Sequence, residues 1–158
     1  MSDQPSAEFL NRLRPIPTYR DHPATSPGDI DGVDPWGAPV QIPIVGSAEP
    51  VLLLFLSAAC LGCRDLWCGT EALRQCLPAG VRVVLVTRGP EDEDAETIRM
   101  LAPGDIVTVM SSQAFRHYRV AGPPFLVVTV GHEVRTEGVA WGIAETARAT
   151  RNAIVGKP

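Results

Sequence analysis

Four apolar runs limit what this chain can fold into: VLLLFLS (51–57), VRVVLVTR (81–88), DIVTVMS (105–111) and PFLVVTV (124–130). The first, second and fourth are almost unbroken in β-branched or large apolar residues, the pattern of strands covered on both faces. Covering both faces takes helices, and helical segments lie between the runs. One spans 62–77 and is closed by PAG. A second spans 91–102, opened by EDED and closed by Pro103-Gly104, and a short one covers 112–119. The EDED run complements a helix N-terminal dipole on a solvated face. A polar GHE then joins the fourth run to VRTEGVA as an antiparallel hairpin, and 141–154 forms a last helix. The order β-α-β-α-β-(α)-β-β-α predicts an α/β fold, a central mixed β-sheet flanked by helices.

With 158 residues the chain is long enough for one domain with a substantial core and too short for two ordinary ones. Residues 1–35, rich in proline and turn formers, read as an extended N-terminal arm, and 36–158 as the domain. WGAPVQIPIV (36–45) opens the domain as a short strand or hairpin whose prolines confine it to a sheet edge. The net charge of −4 and the lack of an Arg/Lys cluster in the sequence exclude nucleic acid as a first expectation. VLLLFL is far short of the roughly 20 apolar residues that span a bilayer, and the N-terminus carries no apolar targeting segment. The expected setting is cytoplasmic, or extracytoplasmic if a signal or anchor has been removed.

SAACLGCRDLWCGT (57–70) places Cys60, Cys63 and Cys68 just after the first strand, and Cys76 follows. A sulfur at a helix N-terminus meets unpaired N–H groups, which can bring a thiol pKa from about 8.5 into the range of roughly 3.5–7.5. Cys60 is therefore the expected nucleophile. Cys60 and Cys63, one turn apart, lie within the Cα separation of about 4.4–6.8 Å that a disulfide needs. At about 1.5 Å per residue, Cys68 lies about 7.5 Å beyond Cys63, and Cys76 about 12 Å beyond Cys68. Neither closes a bridge within an intact helix, and the four sulfurs cannot converge on one tetrahedral metal ion. At 100° per residue, Cys63, Leu66, Trp67, Thr70, Leu73 and Leu77 share an apolar face, while Arg64, Glu71, Arg74 and Gln75 share a polar one. Cys76 falls beside the apolar face and is expected to be buried.

A strand running into Cys60-Leu61-Gly62-Cys63 at a helix start, followed by β-α-β and later by YRVAGPPFLVVTV, resembles the thioredoxin superfamily, especially its TlpA-like thiol–disulfide oxidoreductases. The likeness covers roughly residues 36–156. It implies a thioredoxin-like fold, catalytic Cys60 and Cys63, and a cis-proline at Pro124, with Leu61, Gly62, Gly122, Pro123 and Pro124 facing the substrate. An X-Pro bond takes the cis form at a cost of only about 0.5–1 kcal/mol, which suits a sharp turn beside two sulfurs. Four positions depart from the family pattern. Ala59 stands where a tryptophan usually precedes the first cysteine, Leu54 where thioredoxins carry a buried aspartate, and Cys68 where a helix-kinking proline is common. Pro123, directly before Pro124, can accept a backbone hydrogen bond but cannot donate one.

The resemblance implies exchange of a Cys60–Cys63 disulfide or dithiol with protein thiol or disulfide substrates, reset by an unidentified electron donor or acceptor. No metal and no organic cofactor is implied. Two alternatives stand beside it: a peroxiredoxin-like thiol peroxidase, with Ser57 three residues before Cys60 and Arg135 downstream, and a non-catalytic binding or chaperone module of the same fold. His22, His117 and His132 read as surface histidines, and Trp67 as helix packing.

Overall fold

The computed structural model describes residues 26–155. Its strands are β1 (Ile30–Val33), β2 (Pro39–Ile42), β3 (Ser47–Phe55), β4 (Arg82–Thr87), β5 (Val107–Met110), β6 (Phe125–Gly131) and β7 (Glu133–Val139). Its helices are α1 (Arg64–Cys68), α2 (Thr70–Cys76), α3 (Ala95–Leu101), α4 (Ser112–His117) and α5 (Ile143–Val155), and a 3₁₀ turn at Leu61–Cys63 precedes α1. The strands form one mixed sheet in the order β2-β1-β5-β4-β3-β6-β7. β3, β4 and β5 run parallel, and the remaining pairings are antiparallel.

The near-continuous apolar runs lie at the centre, as their composition requires. Val51 to Leu56 are all fully buried. Leu52, Leu54 and Leu56 face one core, shared with Leu66 and Trp67 of α1, Leu73 of α2, Ile98 of α3 and Ala147 of α5. Val51, Leu53 and Phe55 face the other, shared with Ala114 and Phe115 of α4 and with Ile42 and Ile44. The strand period of two divides one run of sequence between two cores.

Residues 26–35, expected in the arm, belong to the domain: β1 lies inside the sheet between β2 and β5, and Ile30 is fully buried. Most of the expected arm, residues 1–25, lies outside the described residues. The IDGV strand is short and bounded by turn formers, so composition hid it. Its glycine is demanded by a neighbour, because a Cβ on Gly32 would sit 2.4 Å from the Met110 carbonyl oxygen of β5. The segment is fastened just before β1. The Tyr118 hydroxyl donates to Gly28 O at 2.6 Å and accepts from Gly28 N at 2.9 Å. The Asp29 carboxylate accepts from the Ile44 and Val45 amides at 2.7 and 3.0 Å, which holds its carboxyl below the usual range.

The helix expected over 62–77 is broken at Gly69. A Cβ there would meet the Asp65 carbonyl at 2.7 Å and Ile143 of α5 at 2.8 Å, so the close approach of α5 requires glycine. The apolar face survives the break, with Cys63, Leu66, Trp67, Thr70 and Leu73 all buried. Its phase does not carry to the end: Cys76, expected to be buried, is exposed, as is Cys68. The EDED segment is also shorter as helix than expected. Glu91 to Glu93 form a turn closed on the Gly89 carbonyl, and Asp94 caps α3, accepting from the Thr97 hydroxyl at 2.6 Å.

Two residues past the end of α4, Arg119 has φ 54°. The Arg119 amide donates to Arg116 O and the Val120 amide to Phe115 O, a helix stop whose left-handed residue is normally glycine. A β-carbon costs roughly 1 kcal/mol in that conformation. Arg119→Gly is expected to stabilise the protein by about 1 kcal/mol, seen as a higher urea midpoint at unchanged m-value. Gly32→Ala is expected to lower the same midpoint by an equivalent of about 1–3 kcal/mol, because β1 must move off β5.

Candidate active site

β3 hands the chain to a tight turn at the C-terminal end of the parallel strands. The Leu56 amide still bonds to Val86 O of β4 at 2.9 Å. Ser57 then anchors the turn: its carbonyl accepts from Trp67 Nε1 at 3.1 Å and its Oγ from the Ala59 amide at 3.2 Å. Trp67 is thus helix packing with a fixed polar tip. Cys60 follows in extended conformation (φ −90°, ψ 117°) as the cap of the 3₁₀ turn, and the Cys63 amide donates to its carbonyl at 3.2 Å.

The two thiols differ in environment. Cys60 is half-buried, whereas Cys63 is fully buried among Leu52, Leu54, Leu56 and Trp67. Burial, reinforced by the hydrogen bond to Cys60, pushes the Cys63 thiol up to about 12; the Glu93 carboxylate adds to this and a backbone hydrogen bond at Ser57 opposes it. Leu54 lies in the same core, so the position where thioredoxins place an acid is apolar here.

The loop before β6 closes the site from the other side. The Pro123–Pro124 peptide is cis. The Cys60 thiol donates to Pro123 O at 3.6 Å, so the acceptor-only character of Pro123 is used directly. Gly62 faces Pro124: a Cβ on it would meet Pro124 Cδ at 3.5 Å and Cys60 Sγ at 3.9 Å. Leu61 is 87% exposed beside them, and Gly122 and Ala59 are exposed at the rim. The structure therefore brings Cys60, Cys63, Gly62, Pro123 and Pro124 together, with Leu61 and Gly122 on the adjoining surface.

Other residues singled out from the sequence lie elsewhere. Arg135 pairs with Glu133 at 3.0 Å near the hairpin end of β7. That end is opposite the one where Val139 pairs with Phe125, four residues or roughly 13 Å away along the strand. His117 holds the Ser26 carbonyl at 3.0 Å. The segment before α5 was not anticipated at the site. The Ala140 amide donates to Pro124 O at 3.2 Å, so Trp141, 60% exposed, stands beside the proline loop. A tryptophan directly after the hairpin was the available signal, since the hairpin returns the chain to the end of the sheet where it began.

Because Cys68 and Cys76 are exposed, thiol chemistry at the site is best read in a Cys68→Ser/Cys76→Ser background. There, iodoacetamide at pH 8 is expected to modify Cys60 and leave Cys63 unmodified, as scored by peptide mass. With its thiol near 12, about one Cys63 in ten thousand is ionised at that pH. The sign for stability follows. The unfolded chain releases this proton from its ordinary value of 9.0 upward while the fold retains it to about 12, so stability falls between those values.

Comparisons of the fold with solved structures give consistent neighbours. One is a secreted disulfide oxidoreductase from Mycobacterium tuberculosis described as homologous to E. coli DsbE, with TM-score 0.59 and 13% identity over 80% of this chain and 96% of that one. Another is the thioredoxin domain of a thiol–disulfide oxidoreductase from Bacteroides vulgatus, with TM-score 0.60 and 18% identity over 83% and 99%. A third is StoA from Bacillus subtilis, with TM-score 0.59 and 14% identity over 83% and 99%. No protein-family model matches the chain, and no curated protein does. The fold is thioredoxin-like, as the cysteine and proline segments led us to expect.

Proposed function

We propose that the protein is a thiol–disulfide oxidoreductase in which Cys60 is the nucleophile and Cys63 the resolving thiol. The observation that carries this reading is the pairing of a half-exposed thiol with a fully buried one, one turn apart beneath the Pro123–Pro124 peptide. Only the outer sulfur is open to a partner, so the order of attack is set by access. The neighbours described as thiol–disulfide or disulfide oxidoreductases support the same class of chemistry.

In the reductive direction Cys60 sulfur, having lost its proton, attacks one sulfur of a substrate disulfide. That S–S bond breaks, the departing sulfur takes up a proton, and a mixed disulfide with Cys60 forms. Bonding Cys60 to the substrate removes the thiol that helped hold the Cys63 proton, leaving burial as the main cause. Cys63 then gives up its proton and attacks Cys60, the mixed disulfide breaks, and the second substrate thiol departs protonated. Two electrons and two protons have moved to the substrate, and Cys60–Cys63 is a disulfide. An external thiol resets it, and the reverse sequence oxidises a substrate dithiol. Leu61, Gly62, Gly122, Pro123 and Pro124 supply the substrate-facing surface. With Pro123 spending its carbonyl on Cys60 and having no N–H, a bound peptide takes no backbone donor from that residue.

Among the described residues no helix is long and apolar enough to cross a membrane. The cytoplasmic setting expected from the sequence gains no support from the comparisons. The extracytoplasmic alternative fits them better, since the Mycobacterium protein is described as secreted. We place the exchange in such an oxidising setting, where disulfide substrates persist.

Single substitutions in the Cys68→Ser/Cys76→Ser background test the assignment. Cys60→Ser is expected to cut reduction of a protein disulfide by at least about a hundredfold, because a hydroxyl does not replace a thiolate. Cys63→Ser is expected to accumulate a mixed disulfide at Cys60, visible as a mass adduct that dithiothreitol removes. Full turnover by either variant overturns the roles. A parent protein that exchanges no disulfide at all returns the fold to the binding-module reading.

A further inference from the structure

A second feature occupies the same end of the sheet as the dithiol. β3, β4 and β5 are parallel, so the segments leaving their C-terminal ends emerge side by side: Cys60 after β3, Arg88 after β4 and Ser112 after β5. In sheets of this type ligands lodge beyond the carboxyl ends of the strands. An open cavity of about 350 Å³ lies there, lined by Arg88, Ser112, Phe115, Arg116 and Arg119 together with Asp92, Val120 and Ala121.

The cavity is cationic in a chain whose net charge is −4. Its lining holds three arginines and one acid, Asp92. Among the described residues none of the three arginines has a carboxylate within 4.0 Å, whereas Arg74, Arg135 and Arg148 do; Arg116 acts on Glu91 from farther away and helps hold its carboxyl below the usual range. The nearest acids are tied to the rim: the Ser112 hydroxyl donates to Glu91 at 2.6 Å and lies 3.4 Å from Asp92. The same hydroxyl accepts from the Gly89 amide at 2.9 Å, which fixes the Arg88–Gly89 turn against α4. Arg88 is held in place by its guanidinium carbon, 4.5 Å from the centre of the Phe115 ring. Arg119 sits in a left-handed conformation where glycine would be easier, so the fold keeps a guanidinium at a position that disfavours any side chain.

Ala121, at the edge of the cavity, stands two residues before Pro123, whose carbonyl accepts the Cys60 thiol at 3.6 Å; the two Cα atoms are at most about 7 Å apart, so the proline loop links the α4 side of the sheet to the sulfur. We propose that Arg88, Arg116 and Arg119 form an anion subsite that selects protein substrates carrying an Asp or Glu carboxylate about two to four residues from the disulfide cysteine. This rests on the oxidoreductase reading, because the partner's being a polypeptide is what makes the anion a carboxylate. Guanidinium groups suit that partner through charge and paired N–H donors.

The test uses the full chain in the Cys68→Ser/Cys76→Ser background, pre-reduced, in single turnover with two peptides closed by one disulfide. One carries Glu two and three residues outside each cysteine, and the other carries Gln there. The expected result is a roughly fivefold to tenfold faster reduction of the Glu peptide at low salt, shrinking below about twofold in 0.5 M salt. Arg119→Gly, expected to stabilise the fold, should lower that preference by roughly threefold, and Arg88→Gln/Arg116→Gln/Arg119→Gly should bring it close to one. Equal rates for the two peptides overturn the subsite and leave the oxidoreductase reading standing. A preference that survives loss of all three arginines overturns it as well. If neither peptide is reduced, the oxidoreductase reading fails and binding decides the subsite. Fluorescein-labelled versions with Ser for Cys should then still show tighter anisotropy binding of the Glu peptide, weakened by Arg119→Gly, and equal binding overturns the proposal.

Discussion

The sealing of β3 on both faces is the constraint on which the rest of the structure depends. Six consecutive residues, Val51 to Leu56, are withdrawn from water entirely, flanked in the sheet by β4 and β6 and covered above and below by two separate cores. Such a strand has nowhere to slide, because a shift of one residue exchanges the two cores' side chains. Its end is therefore a fixed point. The turn that leaves it carries Ser57, Cys60 and Cys63 at defined positions, and the Trp67–Ser57 hydrogen bond carries that definition into α1.

The chemistry then follows from a gradient of water access over one helical turn. Leu61 is almost fully exposed, Cys60 half-buried and Cys63 dry. A single sulfur at the surface would be a reactive thiol and a single sulfur in the core an inert one. Placing both within reach of each other is what the proposed exchange uses, with the exposed one as the site of attack and the dry one as a reserve. The apolar surroundings that keep Cys63 protonated also withhold it from solvent oxidants until the outer sulfur is engaged.

Much of this was legible in the sequence, for a physical reason. Runs such as VLLLFL and VRVVLV can only be central strands, and a strand followed directly by C-x-x-C leaves the cysteines little freedom. The misreadings came where the deciding partner is distant in sequence. Gly32 reads as a turn former, yet it is the residue that lets β1 approach the Met110 carbonyl. The helix expected over 62–77 runs through Gly69, yet Ile143 of α5 needs the space there, and beyond the resulting break Cys76 is exposed. Arg88, Arg116 and Arg119 form no cluster along the chain and meet only because parallel strands end together. Trp141 gains its place from the Ala140–Pro124 hydrogen bond, a distant contact to which the hairpin's return to that end of the sheet was the sole local clue.

That hydrogen bond has a mechanical consequence. The dithiol turn, the proline loop and the segment entering α5 come from three well-separated stretches of chain, and each is positioned by a different element: β3, β6 and the β7–α5 junction. Both sulfurs sit on one stretch, but the surface around them is completed by the other two. Loosening the last helix from the sheet would disturb the carbonyl of Pro124 and, through its neighbour, the cradle of the outer sulfur. The geometry around the Cys60 thiol is thereby tied to the integrity of the whole sheet, and a disturbance at Ala140 is felt at a sulfur eighty residues earlier in the chain.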